Sequence, residues 1–176
     1  MSVVVLTPLS HEDSETLFQW INDRSEVLYN SPFRPVHRPC HDDWFKSVLR
    51  RDDVVIFGIR LKETGELIGT CQLVDIHPIH RSAELRIRIG PPGQRGRGLG
   101  TDAVTQLLAF GFRDLNLHRI WLQVFADNPR AARVYEKVGF REEGVLRSAA
   151  FVDGVYKDVR LFALLEDDYA RCHSSA

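Results

Sequence analysis

Several large classes of protein are excluded by what this sequence lacks. None of the apolar runs in its 176 residues approaches the roughly 20 needed to cross a bilayer, so no membrane partner is expected. The opening Met1-Ser2-Val3-Val4-Val5-Leu6 has no basic leader and meets Thr7-Pro8 at once, which does not suit a secretory signal. Basic charge is not in excess: 23 Lys and Arg against 24 Asp and Glu leave a net charge of −1, which argues against a nucleic-acid footprint. The three cysteines, Cys40, Cys71 and Cys172, make neither a CxxC nor a metal-ligand spacing and cannot all pair. A reducing, cytoplasmic compartment and no metal are the expectation. Cys71, within a strand pattern, reads as a small buried hydrophobe rather than a reactive thiol. Repeats and low-complexity stretches are also missing. What remains, with 44% hydrophobic and 27% charged residues, is one globular domain over 1–176, large enough to bury a core.

β-Branched residues predict a first strand over Ser2 to Thr7, and period-two alternation predicts Val54 to Leu61, Leu67 to Ile76 and Ala83 to Ile89 as an antiparallel meander. Between these, Ser10 followed by acids reads as the N-cap of a helix carrying Leu17, Phe18 and Ile21. The Pro- and Asn-bearing loop Asn30 to Pro39 leads to a second helix around His41 to Arg50. A later helix places Val104, Leu107, Leu108, Gly111 and Leu115 on one face, with Gly111 allowing close approach to a sheet. After the strand Ile120 to Ala126 comes a bracketed helix: Asn128 as N-cap, Pro129 first, Gly139 just past Val138. A hairpin across Asp153-Gly154, and then a terminal turn with a frayed end over Glu166 to Ala176, complete the chain.

The stretch with most chemical promise is Gln94-Arg95-Gly96-Arg97-Gly98-Leu99-Gly100-Thr101, between a strand and a helix. Glycines let backbone approach a ligand closely, and a helix N-terminus offers unpaired N–H groups with partial positive charge. Such a turn suits a pyrophosphate. It is not a P-loop, which needs Gly-Lys-Ser/Thr, and its G-x-G-x-G spacing is not the dinucleotide G-x-G-x-x-G. A flexible basic loop before a core helix is the plainer reading.

Arg95-x-x-Gly98-x-Gly100 resembles the acyl-CoA pyrophosphate loop of the GNAT superfamily of N-acetyltransferases. Asn128-Pro129-Arg130-Ala131-Ala132-Arg133-Val134-Tyr135-Glu136-Lys137-Val138-Gly139-Phe140 is similar to that superfamily's N-x-x-A-x-x-x-Y-E-K-x-G-F segment, at the right separation. Leu73 to His77, His80-Arg81, Ala83-Glu84, Asp114 to Leu117, and Glu143 to Leu146 with Asp153 to Tyr156 look like the branch holding spermidine and ribosomal-protein N-acetyltransferases. Where the spermidine enzymes carry an acidic cluster, this chain has Asn30-Ser31-Pro32-Phe33-Arg34-Pro35, a departure that bears against polyamine binding there.

The resemblance implies an α+β, three-layer GNAT fold, a mixed and mostly antiparallel sheet of about seven strands flanked by helices. It implies acetyl-CoA as co-substrate, a primary amine as acceptor, and a homodimer or higher assembly. Ile87, Arg88 and Ile89 would pair through their backbone with the pantetheine arm. Gln94, Arg95, Gly96, Arg97, Gly98, Leu99, Gly100 and Thr101 would hold the pyrophosphate, with Asn128, Arg130 and Ala131 completing the cofactor site. Tyr135 would be the general acid, since a phenol of reference pKa about 10 is protonated at neutral pH; helix periodicity alone makes it a core aromatic. Glu84 is either the base, through a water, or a solvated strand-end carboxylate. Asp75, His77 and His80 are candidates for orienting substrate or plain loop residues. Polyamine or small-amine acetylation leads, with a ribosomal-type N-terminal acetyltransferase and a non-catalytic acyl-CoA-binding module as alternatives.

Overall fold

The period-two segments pair into one sheet in a computed structural model that describes residues 2–29, 31–90 and 92–173. Met1, Asn30, Pro91 and 174–176, the end of the expected frayed tail, lie outside the described residues. The strands are β1 (Val4–Pro8), β2 (Val55–Leu61), β3 (Leu67–His77), β4 (Ser82–Ile89), β5 (Arg119–Phe125), β6 (Arg141–Val152) and β7 (Val155–Leu165). Their order is β1-β2-β3-β4-β5-β7-β6. The expected meander is present: β2, β3 and β4 pair antiparallel in sequence order. Only β4 and β5 run parallel, so the sheet is mixed and mostly antiparallel. Asp153-Gly154 makes the tight turn between β6 and β7, with φ of 51° and 83°.

Helices α1 (Asp13–Asn22), α2 (Arg24–Val27), α3 (Arg38–Val48), α4 (Leu99–Ala109), α5 (Pro129–Lys137) and α6 (Glu166–His173) flank the sheet. The core joins Val104, Leu107 and Leu108 of α4 to Leu73, Ile120 and Leu122 of the strands, all 1% exposed or less. Burying each such side chain contributes about 2 kcal/mol. Cys71 is fully buried and desolvation pushes its thiol up to about 12, as befits the apolar role expected for it.

Several local expectations are corrected. α1 begins only at Asp13, and Ser10 does not cap it; instead the Asp13 carboxylate accepts from the Ser10 N–H at 2.7 Å and its hydroxyl at 3.2 Å. The second long helix starts at Arg38 rather than His41, because Pro39 suits a first turn where its missing N–H is not needed. A further short helix, α2, was not expected; Asp23 caps it by accepting from the Ser25 N–H at 3.0 Å. The α4 pattern does not stay α-helical to Leu115: over Phe110–Asp114 it widens into a π-type turn, with the Leu115 N–H on Phe110 O at 3.1 Å. That turn lies flat on the sheet, for a Cβ on Gly111 would come within 2.7 Å of Ile120 Cδ1. The tail forms α6, with Glu166, Asp167 and Asp168 in its first turn and Tyr169 stacked on Phe112 at 4.7 Å.

One polar group fixes α1 to the sheet. Asp13 accepts from Arg60 Nη2 of β2 at 2.7 and 2.8 Å, its own side chain 7% exposed. Asp13→Ala therefore strands a largely covered guanidinium and is expected to cost about 3 kcal/mol in a urea titration. A loss below about 1 kcal/mol would instead mark the pair as behaving like a solvated surface bridge.

Candidate active site

The site arises from a fault in the sheet. β4 and β5 pair only at Ser82–Arg119, Ala83–Ile120 and Glu84–Trp121. Past Glu84, β4 keeps its bonds to β3, with Leu85 opposite Leu73 and Ile87 opposite Cys71, but pairs with nothing on the β5 side. A cleft of about 720 Å³ opens there, lined by Arg86, Ile87 and Arg88 of β4, Gln123 and Phe125 of β5, and Ala131 and Tyr135 of α5. Trp20 and Ile21 of α1 and His41 and Trp44 of α3 line it too.

The glycine loop stands where β4 ends, since a Cβ on Gly100 would lie 4.0 Å from Ile89 Cγ1. Gly98 is the N-cap of α4 at φ 79°, and Gly96 sits at φ 81°, both in the left-handed region that glycine adopts without cost. A Cβ added at Gly98 would meet nothing within 4 Å, so the space over the first amides of α4 is open. At Gly96 the space is taken: a Cβ would come within 2.8 Å of Arg130 Nη2, and the two motifs thus meet at this point.

The two loop arginines are placed differently. Arg95 turns inward, pairs with the buried Glu26 of α2, reaches Ile89 O at 3.3 Å and stacks over Tyr29 at 4.3 Å. Its charge is thereby committed to holding the loop against α2. Arg97 is exposed and bonds Gln94 Oε1 at 2.5 Å.

Asn128 caps α5 as expected, its Oδ1 accepting from the Ala131 N–H at 3.1 Å. Pro129 and Gly139, the latter at φ 105°, bracket the helix that carries Tyr135. The Tyr135 ring meets Phe140 edge-on at 5.8 Å and lies 6.5 Å from Phe162. The ring is core, 9% exposed, and it also lines the cleft. Desolvation pushes its phenol up to about 12. The hydroxyl has no hydrogen-bond partner among the described residues, where no side-chain polar atom is both sealed and unpaired, so it meets the cleft.

Glu84 is buried at the point where the strands part, and its Oε2 accepts from Arg86 Nη2 at 2.6 Å. Asp75, His77 and His80 do not join this group. Asp75 sits at a bulge with φ 52°, and the His77 and His80 rings stack on each other at 4.1 Å at the β3–β4 turn, outside the cleft lining. Sequence reading missed Trp20, His41 and Trp44. The available signal was His41 in register with Phe45 and Val48 on the buried face of α3, a polar residue where an apolar one is the norm. Among the described residues no group of His, Cys, Asp and Glu is placed to hold a metal. None of the helices there is long and apolar enough to cross a membrane.

A mixed sheet parted beside a glycine-capped helix, with a tyrosine facing the gap, defines an N-acetyltransferase of the GNAT class. The chain belongs to that family: the model of the Acetyltransferase (GNAT) domain matches residues 4–141. It is 43% identical over 103 residues to the spermidine N(1)-acetyltransferase of Vibrio cholerae serotype O1, a match spanning 58% of this chain and 59% of that protein. To the spermidine N(1)-acetyltransferase of Escherichia coli K12 it is 31% identical over 176 residues, 98% of this chain and 91% of that one. The crystal structure of the Vibrio cholerae spermidine N-acetyltransferase in complex with CoA and spermine superposes with a TM-score of 0.88 at 30% identity, covering 96% of this chain and 99% of that one.

Proposed function

We propose that the chain transfers the acetyl group of acetyl-CoA to a primary amine in a ternary complex, with a polyamine or another small amine as acceptor. The observation that carries the reading is an unpaired strand edge and a tyrosine on one cleft, with an open helix N-terminus standing at the end of that strand. The spermidine acetyltransferases at 31% and 43% identity support the acceptor class. A cytoplasmic site of action fits the free Cys40, Cys71 and Cys172. Self-association fits the exposed Val145, Leu146, Phe151 and Tyr156 of the β6–β7 hairpin.

Acetyl-CoA supplies the thioester. The backbone of Ile87, Arg88 and Ile89 would take the pantetheine arm as an added strand and donate an N–H to the thioester carbonyl. Amides from Gln94 to Thr101, with Arg97 and Arg130, would hold the pyrophosphate, and Asn128 and Ala131 would border the arm. A primary amine with reference pKa near 10.4 must lose a proton before it attacks, and Glu84 would receive it, directly or through a water. As the C–N bond forms and the C–S bond breaks, Tyr135 would give its proton to the departing sulfur.

A second reading, the ribosomal type of N-terminal acetyltransferase, is favoured by the charge of the cleft. Glu84 is the only carboxylate among its lining residues, beside Arg86 and Arg88, which is sparse for a polycation. Acetyl-CoA turnover, read as free thiol, with spermidine, spermine, single amines and N-terminal peptides separates the two. Turnover with spermidine or spermine upholds the first; turnover with peptides alone moves the acceptor to the second. If no amine is acetylated while CoA still binds, the chain is an acyl-CoA-binding module.

A further inference from the structure

Of the side chains that α1 and α3 give to the cleft, Leu17, Trp20, Ile21 and Trp44 offer no hydrogen-bond acceptor. His41 is the exception. Its Nε2 lies 2.9 Å from the Ser14 carbonyl oxygen and 3.1 Å from the Ser14 hydroxyl, both on α1. A carbonyl only accepts, so Nε2 carries a proton, and in an imidazole protonated there Nδ1 is the acceptor. The residue is 2% exposed, its ring held between Phe18 at 5.2 Å, Trp44 at 5.5 Å and Phe45 at 6.3 Å. Among the described residues Nδ1 has no partner, yet no sealed side-chain polar atom there goes unpaired. The cavity it lines is the cleft, and Nδ1 is open to it.

Holding α3 to α1 occupies Nε2 alone. An imidazole fixed at one nitrogen, buried, with its other lone pair open to a substrate cleft and framed by one indole and two phenyl rings, has the chemistry of a receptor for a cationic N–H donor. From this geometry we infer that His41 is a specificity-determining residue: Nδ1 accepts a hydrogen bond from an amine nitrogen of the acceptor and orients it in the cleft. The inference rests on the reading of the cleft as an amine acetyltransferase site. It holds for a polyamine and for a peptide N-terminus alike.

Two substitutions divide the ring's two nitrogens. In His41→Gln the amide reaches the place of Nε2, keeping the bond to Ser14 and deleting the acceptor at Nδ1. In His41→Asn the amide oxygen takes the place of Nδ1 and the bond to Ser14 is lost. With spermidine or an N-terminal alanyl peptide, whichever the wild type acetylates faster, His41→Gln is expected to raise the acceptor KM by about 10-fold or more with the acetyl-CoA KM unchanged. His41→Asn is expected to lower Tm yet keep the acceptor KM within about 3-fold of wild type, a rescue that a merely structural histidine does not give. An unchanged acceptor KM in His41→Gln, or equal shifts in both substrates' KM in both variants, overturns the inference. If the wild type acetylates neither probe, the acetyltransfer reading fails, and the ¹⁵N resonance of His41 Nδ1 decides separately. Movement of that resonance on adding spermidine or the peptide upholds the role of His41, and an unmoved resonance overturns it.

Discussion

Tyr135→Phe is expected to lower kcat by roughly 10²–10⁴-fold while leaving the calorimetric affinity for acetyl-CoA within about 2-fold of wild type. The substitution removes one oxygen that bonds nothing among the described residues, and it keeps the ring against Phe140 and Phe162. Stability should therefore barely change, and any loss of rate reports on the hydroxyl. The shifted phenol adds a second test. Burial raises the Tyr135 pKa to about 12, so the proton is bound more tightly than in the unfolded chain and the acid form persists through neutral and mildly alkaline pH. No fall in kcat assignable to this group is expected below about pH 10. A wild-type rate in the phenylalanine variant removes Tyr135 from the mechanism.

Gly98→Val should abolish measurable CoA binding, with affinity down at least about 100-fold by calorimetry. Two effects combine. At φ 79° a β-branched residue is strained by about 1–2 kcal/mol, and its side chain would fill the open space over the first amides of α4. Strain alone is controlled by Gly65→Val in the β2–β3 turn, where φ is 73° and a Cβ likewise meets nothing within 4 Å. Both variants should lose several degrees of Tm, whereas only Gly98→Val should lose CoA. Intact CoA binding in Gly98→Val refutes the assignment of the loop.

The C-terminal two thirds of the fold could be read from the sequence because its determinants are local. Asn128, Pro129 and Gly139 each act within a turn of their own position, and Asp153-Gly154 sets a hairpin by itself. The first third obeys distant partners. Asp13 answers to Arg60, Glu26 to Arg95 and Ser14 to His41, pairs whose members lie far apart along the chain. The site divides the same way. Tyr135 and the glycine loop stand in motifs with fixed spacing, so their candidacy was readable. Amphipathic periodicity says that one face of α3 is buried, but not that the burial borders a cleft, and His41 and Trp44 were missed for that reason. Arg95 shows a third limit: composition gives a basic loop, whereas only folding decides that one of its charges is spent on Glu26.

The early end of β4–β5 pairing also bears on which molecules can enter. A bare strand edge at the rim of a sheet is a template for any neighbouring chain, with aggregation as the hazard. Here the bare edge lies in the middle of the sheet, with β3 bonded behind β4, and β5 bonded to β7 across the gap. Another protein's strand would have to bring its side chains into a slot whose two banks belong to one molecule. A thin, unbranched chain with amide groups meets no such obstacle. Under the proposed function, the gap would offer backbone hydrogen bonds to a slender arm more readily than to a strand that brings side chains on both faces.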